Sequence, residues 1–125
     1  MDIYVAGSWA DRKRVNRIMK KVEKIGHSVY DWSDSKNDEN SKLDIEKVMT
    51  CDAFIFVHNG IESIGKGIEL GIAHTLKKPI FILNLKKPKA LFMKDAIYFW
   101  KCGNEKEMYT WLDNIDHWKR IQDSD

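Results

Sequence analysis

Cysteine is scarce and charge is balanced, and each shortage closes off a class of function. Of 125 residues only Cys51 and Cys102 are cysteines; they lie far apart without CxxC or Cys/His ligand spacing. This argues against a disulfide scaffold or zinc site and for a reducing compartment, with both thiols filling space. His27, His58, His74 and His117 fall in no ligand pattern either, so no metal and no other cofactor is expected. Lys and Arg number 21 against 19 Asp and Glu, a formal net charge of +2, too small to point to polymeric nucleic acid. No window approaches the length of a membrane span, and Met1-Asp2-Ile3-Tyr4-Val5 lacks a basic leader and an apolar h-region. The expectation is a cytoplasmic protein with no membrane partner. There is no internal repeat, and 43% hydrophobic with 32% charged residues suits one domain over residues 1–125 with a substantial core.

The apolar runs that are present alternate with helical patterns. Ile3-Tyr4-Val5-Ala6 predicts a strand ending at Gly7-Ser8, and Val15, Ile18, Met19, Val22 and Ile25 recur at helical spacing before Gly26. His27 to Trp32 predicts a second strand, followed by an apolar-free loop from Ser33 to Ser41. Leu43, Val48 and Met49 mark a brief helix, Asp52 to Val57 a third strand, Gly65 to Leu76 a helix and Pro79 to Leu83 a fourth strand. The basic link Lys86-Lys87-Pro88-Lys89 leads to a fifth strand expected at Ala96 to Trp100, and Met108, Trp111, Leu112, Ile115 and Trp118 line one face of a last helix. Strands three and four are apolar without alternation, as in a parallel sheet covered on both faces. Right-handed crossovers then predict an α/β, flavodoxin-like doubly wound sheet of about five parallel strands in the order 2-1-3-4-5.

The switch point of that order lies between strands one and three, which brings Gly7-Ser8-Trp9 beside Ser63-Ile64-Gly65-Lys66-Gly67-Ile68-Glu69-Leu70-Gly71-Ile72-Ala73. A dinucleotide fingerprint needs GxGxxG after the first strand, where this chain has Gly7-Ser8-Trp9. A receiver domain needs acids there and an Asp ending strand three, where Ala6-Gly7-Ser8 and His58-Asn59 stand instead. What remains is a glycine pair, Gly65 and Gly67, that lets a ligand approach backbone N–H groups at a helix start, with Glu69 in the first turn. An acid there gains about 0.3–1 kcal/mol from the macrodipole alone. Lys66, three residues earlier, cannot form a capping box with it, and Gly65, Gly67, Gly71 and Ala73 leave Glu69 uncrowded. Holding a carboxylate against a reacting carbon can be worth about 7–11 kcal/mol, which makes Glu69 the candidate nucleophile.

The other candidates have plainer alternatives. Ser41-Lys42-Leu43-Asp44 reads as a capping box, a structural role for Asp44. Trp9 and Trp32, at one sheet edge, can stack on a planar base, whereas loop tryptophans more often close a core. Among the basic residues of the first helix only Arg12, near its start, is placed as a phosphate ligand; Lys13, Arg14, Arg17, Lys20, Lys21 and Lys24 read as a solvated face.

Ile3-Tyr4-Val5-Ala6-Gly7-Ser8, Asp44 eight residues before Asp52, and Ser63-x-Gly65-x-Gly67-x-Glu69-Leu70-Gly71-x-Ala73 together resemble the nucleoside 2-deoxyribosyltransferase family over most of residues 3 to 83. The resemblance implies Glu69 as the nucleophile on the anomeric carbon, Asp44 as the acid assisting proton transfer near the base, and Tyr4 as the tyrosine of the first strand. At Ser63, six residues before the glutamate, deoxyribosyltransferases tend to carry an acid and the related 2'-deoxynucleoside 5'-phosphate N-hydrolases a phosphate-binding serine. The likeness therefore leans toward a nucleotide N-glycosidase, with Ser8, Ser63 and the Gly65-Lys66-Gly67 amides around the 5'-phosphate, while the neighbouring Glu62 keeps a sugar-facing acid open. Gly7, Trp9, Arg12 and Trp32 complete the expected substrate-binding set. The implied chemistry passes through an oxocarbenium-like state without a metal, ending in hydrolysis or transfer to another base. Family members commonly borrow a polar residue from a partner chain after the fourth strand, so a homodimer is implied, although Leu91-Phe92-Met93-Lys94 holds no Ser or Asn. Two alternatives stay open: a TIR-like NAD glycohydrolase, and a module that binds a nucleotide without cleaving it.

Overall fold

A computed structural model of the chain describes residues 1–32, 40–58, 64–83 and 100–124, with only the backbone at 40, 41 and 100. Strands β1 (Asp2–Ala6), β2 (Ser28–Val29), β3 (Ala53–Val57), β4 (Ile80–Leu83) and β5 (Trp100–Gly103) form one parallel sheet. Its order, β2-β1-β3-β4-β5, is the predicted one. The described helices are α1 (Arg12–Lys24), α2 (Asn40–Thr50), α3 (Ile64–Thr75) and α4 (Glu105–Asp123), and a single 3-10 turn at Trp9–Asp11 leads into α1. Tyr4 pairs with Phe54 and Phe54 with Ile80, so β1 and β3 finish side by side.

Successive strand residues point to opposite faces, and here helices cover both. Ile3, Val5, Ile55, Val57, Phe81 and Leu83 pack with Val15, Ile18, Met19 and Val22 of α1 and with Met108 and Leu112 of α4. On the other face Tyr4, Ala6, Phe54, Phe56, Ile80 and Ile82 meet Val48 of α2, Cys51, and Ala73 of α3. Water is excluded from both sides, which is why β3 and β4 carry no polar side chain. Each Val, Leu, Ile or Phe so buried contributes about 1.5–3 kcal/mol. Gly7 carries the chain from β1 toward α1; a Cβ there would overlap Val15 Cγ2 and lie 3.6 Å from Val57 Cβ. The glycine is required for α1 to seat on the sheet.

Several boundaries differ from the sequence reading. The second strand was expected over His27 to Trp32, but only Ser28 and Val29 pair with β1, a shortness that suits an edge strand. β5 begins at Trp100, where the expected fifth strand ends; 96–99 lie outside the described residues. Its exposed Lys101 is typical of an edge, where polar residues hide the strand from an apolar search. α2 starts at Asn40, so Ser41 lies inside the helix and cannot cap it, which removes the capping-box role for Asp44. Residues 33–39 of the expected loop lie outside the described residues. On α4 Met108 and Leu112 are buried, but Trp118 is 64% exposed and leaves the expected stripe. Cys51 is buried and Cys102 half-buried, both as free thiols. Among the described residues no helix is long and apolar enough to cross a membrane.

Candidate active site

The helices on the α2/α3 face bring two carboxyls to one tyrosine. Tyr4 faces that side from β1 and is 1% exposed. Its ring stacks on Phe54 of β3 at 5.6 Å and on Tyr30, just beyond β2, at 6.2 Å between centroids. The Tyr4 hydroxyl donates a hydrogen bond to Glu69 of α3, and the Tyr30 hydroxyl donates one to Asp44 of α2. Asp44 and Val48 are one turn apart on α2, so the same helix face that buries Val48 turns Asp44 inward. The Oδ1 atom of Asp44 is buried without a hydrogen-bond partner among the described residues.

Burial sets the electrostatics. It pushes the Glu69 carboxyl up to about 7, with the charge of Asp44 acting in the same direction and the Tyr4 hydrogen bond opposing. Asp44 is also raised by burial, partly offset by Tyr30. The Tyr4 phenol is held protonated, first by burial and then by the charges of Glu69 and Asp44. Two repelling carboxyls in a low-dielectric setting retain a proton near neutral pH, which a solvated pair would have lost. A cleft of about 320 Å³ between β2 and α2 has Tyr4 and Tyr30 in its wall but is not lined by Glu69 or Asp44.

The remaining predicted residues divide. Ser8 precedes the 3-10 turn and its carbonyl accepts from Asp11 N–H at 3.0 Å. Trp9 is 51% exposed, and Arg12 covers its ring, the guanidinium carbon 4.8 Å from the centroid. Trp32 donates its indole N–H to the Val5 carbonyl at 2.6 Å and packs against both core clusters, the core-closing arrangement. Gly7 answers to Val15, as described above. Gly65 and Gly67 lie in the first turn of α3 rather than in a loop before it, and a Cβ at Gly67 or Gly71 would meet no atom within 4 Å. These glycines therefore open the outer face of α3, not the side facing the carboxyls. Ser63 and Glu62, and Leu91 to Lys94, lie outside the described residues.

No protein-family model matches the sequence, and no curated protein does. Among solved structures the chain is similar to the CMP N-glycosidase BcmB of Clostridium botulinum, at 26% identity and a TM-score of 0.65, over 90% of this chain and 99% of that one. It is similar in fold to a 2-deoxyribosyltransferase of the psychrotolerant bacterium Bacillus psychrosaccharolyticus, at 20% identity and a TM-score of 0.65, over 77% of this chain and 82% of that one. The chain thus shares its fold with an N-glycosidase and a deoxyribosyltransferase, both nucleoside 2-deoxyribosyltransferase-like proteins. Some residues that hold these elements in place differ in how far a sequence reading reaches them. Tyr30 had a signal, since Ile3 pairs with Val29 and the next residues on the two strands, Tyr4 and Tyr30, must be neighbours. Arg14 had none: read as part of the solvated face, it donates to the carbonyl of His58, 44 residues away, at 3.1 Å. That bond ties the start of α1 to the residue that follows β3.

Proposed function

We propose that this protein cleaves the N-glycosidic bond of a nucleoside or nucleoside 5'-monophosphate, with Glu69 as nucleophile, Asp44 as proton donor to the leaving base and Tyr4 orienting Glu69. What carries the reading is the meeting of Glu69, Asp44 and Tyr4 on a fold shared with an N-glycosidase and a deoxyribosyltransferase. A Glu69 oxygen attacks the anomeric carbon while the C–N bond breaks. The bonding pair leaves with the base, which takes the Asp44 proton. Water, or the nitrogen of a second base, then attacks the same carbon, and Glu69 departs as carboxylate, giving a hydrolase or a transferase respectively. The step needs one proton on the pair, seated on Asp44 when Glu69 reacts; a pair that keeps a proton near neutral pH supplies it.

CMP, the substrate named for the Clostridium botulinum neighbour, is the first candidate. Around its phosphate we place Ser8, Ser63, Arg12 and the amides of Gly65, Lys66 and Gly67. Trp9, 51% exposed beneath Arg12, is the ring available to a base. Scarce, free cysteines suit a cytoplasmic location. A homodimer is supported by the outer face of α3 and the adjoining end of α2, where exposed Met49, Ile68 and Leu76 line one apolar groove, the kind of surface that marks an interaction site.

The test is base release, followed chromatographically, from CMP, cytidine and a panel of other nucleosides and 5'-monophosphates, with and without a second base. Wild-type protein is expected to release base, and Glu69→Ala to lose at least about a thousandfold in rate. Full activity in Glu69→Ala overturns the proposal.

A further inference from the structure

Tyr30 stands just past the short strand β2 and is nonetheless pinned on both sides. Ahead of it Val29 pairs with Ile3; behind it the Trp32 indole N–H is fixed on the Val5 carbonyl at 2.6 Å. The backbone between these pins has little freedom. The Tyr30 ring lies against that of Tyr4, 6.2 Å between centroids, and the Lys47 ammonium sits 5.8 Å from its centre. Lys47 and Asp44 adjoin on one face of α2, so that helix meets this one side chain twice, with a cation over the ring and a carboxyl at the hydroxyl. The packing does not require the hydroxyl: a phenylalanine would stack on Tyr4 and lie beneath Lys47 equally well.

What the hydroxyl holds is one half of a carboxyl. Oδ1 of Asp44 is buried without a partner among the described residues, so the Tyr30 hydroxyl bonds to the other oxygen. An unpaired buried oxygen is costly and calls for an explanation. One follows if Oδ1 carries the acid's proton and meets a group that the substrate brings. When that proton is given up, the negative charge that Glu69 loses in forming its ester reappears on Asp44, where the bond from Tyr30 becomes charge-assisted and stronger. An interaction that strengthens along the reaction favours the transition state over the bound substrate. We propose that Tyr30 is a positioning residue for the general acid: it fixes Asp44 by one oxygen so that Oδ1 faces the leaving base, and it stabilises the charge that proton transfer leaves behind; this rests on the N-glycosidase reading of the site.

Tyr30→Phe removes the hydroxyl and keeps the ring, so its effect can be divided by leaving group. Base release from CMP, or from whichever 5'-monophosphate the wild type prefers, needs a proton and is expected to fall about tenfold to a hundredfold in kcat with KM little changed. Release of nitrophenolate from 4-nitrophenyl riboside 5-phosphate, a C–O cleavage whose leaving group departs with the bonding pair and no proton, is expected to stay close to wild type. Carbon-13 NMR of aspartate-labelled protein adds a readout that needs no turnover: the Asp44 carboxyl should titrate at higher pH in Tyr30→Phe, because the bond favours its ionised form. Equal losses on both substrates, as a packing defect gives, or an Asp44 midpoint that does not move, overturn the role of Tyr30, while base release by the wild type leaves the catalytic reading standing. A wild type that releases neither base nor nitrophenolate sinks the glycosidase reading, and the role of Tyr30 with it, even where the midpoint moves.

Discussion

Burial and the charge of Asp44 hold the Glu69 carboxyl at about 7, and that displacement makes stability depend on pH in a defined direction. A carboxyl raised in the folded state favours folding most below its ordinary value, near 4.5, and loses that contribution as pH rises through about 7. A displacement of this size amounts to roughly 3 kcal/mol against the ionised form. Replacing Glu69 by Gln removes the charge at little change in shape. Urea unfolding is therefore expected to find Glu69→Gln more stable than wild type at pH 8, by up to about 3 kcal/mol, with the gap closing at pH 5. Equal stabilities at pH 8 would mean that Glu69 is ordinarily solvated. At this scale Glu69 and Tyr4 were legible because a spaced glycine motif and a first-strand tyrosine mark them. Asp44 was obscured by Ser41, which mimics a cap that the helix start at Asn40 does not use. The Arg14 contact was invisible, because its acceptor is a backbone carbonyl and carries no residue signature.

The junction of β1 and α1 gives a glycine a packing role that the sequence does not announce. Gly7, expected in the substrate-binding set, leaves room for Val15 Cγ2. Gly7→Ala should push α1 off the sheet and cost about 1–3 kcal/mol, as overpacking does. In a Val15→Ala background the added methyl has space, so the same substitution should cost less; strict additivity in the double-mutant cycle would remove Val15 as the cause. Strand order and the two-sided core were legible from apolar runs alternating with helical periodicity, because β1, β3 and β4 are central and covered. The edges were not. β2 and β5 pair on one side only, and an edge strand such as Trp100–Gly103 accepts a lysine and a glycine that no apolar pattern predicts.

For the molecule as a whole, the unresolved economy is the outer face of α2 and α3. Ile64 is 85% and Ile68 52% exposed, beside Gly67 and Gly71, whose missing side chains leave an open groove on the same helix. A ridge next to a groove is self-complementary under a two-fold axis. Light scattering is expected to give twice the 14.7 kDa chain mass, and Ile68→Asp to give the monomer; a monomeric wild type would assign the face to something other than a second copy. The face opposite the carboxyls can associate without blocking them. The most direct measurement of the central claim is peptide mass spectrometry after acid quench of the protein with CMP. The account predicts a ribosyl 5'-phosphate ester on the peptide carrying Glu69, absent in Glu69→Gln; base release with the ester on another residue, or undiminished turnover in Glu69→Gln, would contradict it.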